Sequence, residues 1–152
     1  MEITKNEIEA MARICKESAR TDKLIQDYIW QAMEMKDEEG KAKGEKEVVL
    51  FFLKVFRPDI VGKGTYDWGF MYNASEKGWT EVVEVLIEMG LNPTPGLLPA
   101  VSNGHKKVVE ILLDNGADLK APNCGNVREV AKSCGYAEIS EILEAVWEKS
   151  SK

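Results

Sequence analysis

The sequence predicts an all-α protein, a helical repeat solenoid of about four repeats closed at its start by an N-terminal capping helix. Three observations predict it. A glycine-anchored pattern recurs along the chain, with Gly44, Gly78, Gly104 and Gly135 as anchors. Apolar residues follow each anchor at helical spacing, and a small residue precedes it. The composition, 44% hydrophobic and 30% charged over 152 residues, suits one folded domain and excludes global disorder.

The repeat is clearest when the anchors are aligned. Four residues after them stand Val48, Val82, Val108 and Ile139; seven after, Phe51, Val85, Ile111 and Ile142; eight after, Phe52, Leu86, Leu112 and Leu143. Offsets four, seven and eight lie on one side of a helix, so this side is expected to be core. Four residues before the anchors stand Gly40, Ala74, Ala100 and Ala131, small enough to let the preceding helix pack closely. The glycine ends that helix in the left-handed conformation that other residues resist. One such helix pair cannot bury its own apolar face, so the pairs must stack.

These residues resemble the ankyrin repeat. The best match is residues 103–118, where Gly104-His105, Val108-Val109, Leu112-Leu113 and Gly116-Ala117-Asp118 stand at the spacing usual in that family. Gly78 to Gly90 is the next best, Gly44 to Leu53 fits without a terminal glycine, and Gly135 to Leu143 resembles a closing repeat. The departures are specific. The Thr-Pro-Leu-His opening is nearly absent, Thr94-Pro95 comes one residue early, and Pro99 would break a long helix. The stretch from Gly90 to Gly104 is about seven residues short of the family spacing, so no full hairpin is expected there. Arg128 stands where the family buries leucine.

Upstream, Leu24, Ile25, Tyr28, Ile29, Ala32 and Met33 make a stripe for the inner helix of a first repeat, and Asp37 to Lys46 reads as an enlarged charged loop. Thr4 and Glu7 have capping-box spacing ahead of the stripe Ile8, Met11, Ala12 and Cys15. The expected organisation is a single domain, 1–152, with the capping helix in 1–21 and repeats in 22–152.

Little in the chain suggests catalysis. The one histidine, His105, occupies the position where the family's imidazole bonds local backbone, and no second histidine completes a usual metal set. The alternative function is an enzyme or metal-binding protein centred on His105 with Cys124 and Cys134. Gly62-Lys63-Gly64-Thr65 lacks the order of a phosphate loop and reads as a turn. No cofactor or metal is expected. Three irregularly spaced cysteines do not make a disulfide framework, which points to a reducing, cytoplasmic setting. The longest apolar run is the six residues Val48 to Leu53, against about 20 for a membrane span.

The net charge is −6, spread along the chain without a basic stripe. That disfavours nucleic acid and favours a basic protein partner. The resemblance implies a non-enzymatic protein-binding module; a small chain of this kind is expected to be an inhibitor, an immunity or antitoxin-like protein, or an adaptor that masks its partner's surface. Tyr66, Trp68, Phe70 and Tyr72 fall within seven residues, in the region that the resemblance places along the finger and inner helix. Phe70 is expected buried, and Trp68 or Tyr66 exposed. The expected partner-binding residues are Lys63, Tyr66, Asp67, Trp68, Tyr72, Asn73 and Glu76, a mix of aromatic and charged groups like that of interface centres.

Overall fold

The computed structural model describes residues 10, 21–34, 46–56 and 65–151, without side chains at 21–25, 55–56, 65–67 and 123. The expected capping helix, the loop Asp37 to Glu45 and Lys63 lie outside the described residues. The chain divides into two compact units, 1–66 and 67–152. No strand occurs among the described residues, and the fold is an all-α, ankyrin-like helical repeat.

In the first unit, α1 (Thr21–Glu34) packs on α2 (Lys46–Phe56). Ile29, Ala32 and Met33 of the expected stripe are buried, as are Val48, Val49, Leu50, Phe52 and Leu53. Tyr28 stacks on Phe52 with ring centres 6.0 Å apart, which fixes the two helices face to face.

The second unit repeats one device. Helix α3 (Thr65–Glu76) leads through Gly78 into α4 (Thr80–Glu88); α5 (Leu97–Ser102) leads through Gly104 into α6 (Lys106–Asp114); α7 (Val127–Ser133) leads through Gly135 into α8 (Ala137–Ser150). The three glycines have φ of 69°, 72° and 77°, where an L side chain is strained. The next residue's N–H then reaches back to the carbonyl of Ala74, Ala100 or Ala131, at 3.0, 2.9 and 3.0 Å. Each alanine thus both accepts the helix-ending hydrogen bond and, fully buried, admits its neighbour closely.

The residue after one glycine covers the glycine of the preceding repeat. A Cβ on Gly78 would come 2.6 Å from Nδ1 of His105, and one on Gly104 would come 2.8 Å from the Tyr136 ring. His105 also donates from Nε2 to the carbonyl of Glu76 at 2.8 Å. The imidazole therefore bonds the backbone of the preceding repeat, 29 residues away, rather than the local backbone. His105→Ala is expected to cost about 1 kcal/mol, the usual contribution of one hydrogen bond, in urea unfolding followed by circular dichroism. An unchanged midpoint would mean that the contact is not a tie between repeats.

The core face differs in one respect from the expectation. Offsets four and eight are buried in all four repeats, but Phe51, Val85, Ile111 and Ile142 at offset seven are only half-buried. Offset five takes their place, with Val49, Val83 and Val109 buried. At about 100° per residue, offsets four, five and eight span one arc, and offset seven falls on its flank.

The shortened connections form turns. The side chains of Asn92 and Asp118 accept from the N–H two residues on, that of Thr94 at 3.0 Å and Lys120 at 2.8 Å. Thr94 also accepts from the N–H of Asp118 through Oγ1, and its carbonyl receives the thiol of Cys124, so one threonine laces successive connections. Thr94-Pro95-Gly96 makes a 3₁₀ turn running straight into α5. Pro99 sits in the first turn of this six-residue helix, where no intrahelical bond needs its missing N–H.

Arg128 is half-buried and replaces apolar packing with an ion pair to Glu144 at 2.6 Å, its guanidinium 4.5 Å from the centre of the Trp147 ring. Lys132 reaches Glu144 at 3.0 Å, and Lys106 joins α6 to α8 through Glu138 at 2.8 Å. The hydrogen bond and charge of Lys106 hold the Glu138 carboxyl below the usual glutamate range; hydrogen bonds from Arg128 and Lys132, with their charges, do the same for Glu144. A depressed folded-state pKa gives stability that is present above the unfolded glutamate range and lost as pH falls through the lower, folded value. In a carboxyl-carbon NMR titration, Glu138 and Glu144 are accordingly expected to protonate below the usual glutamate range, with the ties to α8 weakening over the same acidic interval. Titration within the usual glutamate range would show these pairs to be open in solution.

Candidate protein-binding site

The aromatic segment is helical. In α3, Phe70 and Met71 are fully buried, and so is Ala74 one turn on. The opposite face carries Trp68, Tyr72 and Glu76 at four-residue spacing, which places them in one row. Trp68 is 46% exposed, the only large apolar side chain so exposed among the described residues. Its ring stacks on half-buried Tyr72, with centres 5.0 Å and planes 20° apart. The pair presents a broad flat surface held rigid by its own stacking, so little side-chain freedom is left to lose on binding.

The other expected residues divide by position. Tyr66 and Asp67 fall in the first turn of α3, with side chains outside the described ones. Asn73 donates its amide to the carbonyl of Gly69 at 3.0 Å, so this group is committed to its own helix. Glu76 has an exposed side chain and a carbonyl engaged by His105. The repeat register adds Leu98, which sequence reasoning missed. It stands six residues before Gly104, as Tyr72 stands six before Gly78, and it is half-buried. Glu129 holds the same place in the last repeat and is exposed. The anchor glycines already contained this signal, had the inner helices been aligned as the outer ones were.

Two of the three residues of the alternative function have structural partners. His105 bonds Glu76, and the Cys124 thiol donates to the carbonyls of Thr94 and Asp118 at 3.5 and 3.6 Å. Burial first, then the charge of Asp118, pushes this thiol up, away from the thiolate form. Cys134 is exposed. Among the described residues no three His, Cys, Asp or Glu side chains gather where they could hold a metal, and no helix is long and apolar enough to cross a membrane.

Comparison with known proteins agrees with this geometry. The family model of the ankyrin repeat matches residues 100–124, from α5 through α6 to the turn at Pro122–Cys124. The chain thus carries an ankyrin repeat there, and ankyrin repeats are protein–protein interaction modules. BCL-6 corepressor-like protein 1 of Homo sapiens is 30% identical over 82 residues. The similarity covers 49% of this chain and 5% of that relative's length.

Proposed function

We propose that the chain is a non-enzymatic binding module that masks a surface of another protein, as a small inhibitor, an immunity or antitoxin-like protein, or an adaptor. The observation that carries this reading is the exposed Trp68–Tyr72 stack on an inner helix of an ankyrin-like repeat. Large, rigid aromatic groups are the side chains that most often dominate binding energy. The proposed contact surface comprises Lys63, Tyr66, Asp67, Trp68, Tyr72, Asn73 and Glu76. Residues 1–152 act as one domain in this reading, with 1–21 as its cap. A partner with a basic surface is favoured by the net charge of −6. The free cysteines suit a cytoplasmic setting.

The test compares two immobilised baits, the natural chain and Trp68→Ala, in lysate from the source cells. A protein retained by the first and lost from the second is expected. Equal retention of every captured protein by both baits would overturn the proposal.

A further inference from the structure

The outer helices α4 and α6 leave a groove of about 340 Å³ between them, lined by Glu84, Ile87, Glu88, Ile111, Asp114 and Asn115. Its apolar part is Ile87 and Ile111, both half-buried; Ile111 occupies the offset-seven position that the repeats leave on the flank of the core. Its rim is three exposed carboxylates, Glu84, Glu88 and Asp114. None of them forms an ion pair with another described residue, and no basic side chain lines the groove.

The position of these charges is unfavourable in the free protein. Glu88 and Asp114 are the last residues of α4 and α6, where the helix macrodipole is negative, and neither helix has a basic residue in its last turn. A cation placed between the two helix ends relieves both repulsions together. Apolar side chains flanked by unpaired charge of one sign fit a segment of opposite charge that also carries an aliphatic anchor.

We propose that this groove is a second docking surface, and that its occupant is a Lys- or Arg-rich segment of a partner protein. An aliphatic side chain of the segment rests on Ile87 and Ile111, and flanking basic groups meet Glu84, Glu88 and Asp114. The proposal is independent of the Trp68 surface.

The test is an amide NMR titration of the full chain with a short synthetic peptide of lysines and leucines, the leucines spaced along one helical face. Two control peptides replace the leucines with serine or the lysines with glutamate. Saturable shifts are expected at Ile87, Ile111 and Asn115, and the peptide should bind Trp68→Ala as it binds the natural chain. The double variant Glu84→Lys, Glu88→Lys should weaken binding by about tenfold, a loss in keeping with reversing exposed ion pairs, without lowering the melting temperature. The serine control should bind several-fold more weakly and the glutamate control not at all. Equal binding of the leucine and serine peptides would reduce the effect to general attraction by an acidic surface. Undiminished binding by the double variant, shifts spread over all acidic helices, or no saturable binding would each overturn the proposal.

Discussion

Leu112→Ala is expected to destabilise the protein by about 2–5 kcal/mol, the range for truncating a fully buried leucine. Leu112 is 0% exposed and lies on α6, which contacts α4, α5 and α8. A Cβ built on Gly96 would meet its two methyl carbons at 3.0 and 3.2 Å, so the leucine fills the space under the turn entering α5. Its carbonyl also accepts the N–H of Ala117, which ends α6. Removing the side chain opens a cavity where two repeats and a connection meet, and the connection cannot collapse into it without breaking the Thr94 bonds. Denaturant unfolding of the two proteins measures the loss. A difference below about 0.5 kcal/mol, typical of a surface change, would mean that the repeat register is wrong.

Trp68→Ala is expected to weaken partner binding by about 2 kcal/mol or more, the scale of an interface hot spot. Its effect on folding should be small, because nearly half of the ring already faces solvent and the buried side of α3 is made by Phe70, Met71 and Ala74. The stack on Tyr72 is one folded-state contact at stake, worth about 0.5–1.5 kcal/mol beyond burial. Calorimetric titration with the captured partner, beside the melting temperature of each variant, separates the two effects. A large loss of stability with unchanged affinity per folded molecule would make Trp68 a packing residue.

Much of the fold was legible because its constraints are local and repeated. A glycine that must adopt positive φ, an alanine four residues before it and aliphatic residues four and eight after it are visible in any single repeat. What was not legible depends on neighbouring repeats. Period alone assigns a helix face but not which flank meets the next helix, so offset seven was expected in the core when offset five is packed there. The expectation that His105 bonds local backbone was incorrect for the same reason: the carbonyl it reaches belongs to the previous repeat. Arg128 was noticed as a departure, but its partners Glu144 and Trp147 lie on another helix.

The candidate site was legible as a cluster of aromatic residues, and the division between buried Phe70 and exposed Trp68 was expected from the side chains themselves, one wholly apolar and one with a polar edge. The engagement of the Asn73 amide within α3 and the alignment of Leu98 with Tyr72 needed the repeats in place. The groove between α4 and α6 was not legible at all, since its walls come from residues about 25 positions apart whose charges look like ordinary solvated faces.

The most direct test of an inner-helix binding surface is amide hydrogen exchange of the full chain with and without its captured partner. Slowed exchange is expected along α3 from Trp68 to Glu76 and in α5 at Leu98. Protection confined to α4, α6 and α8, with α3 unchanged, would contradict it.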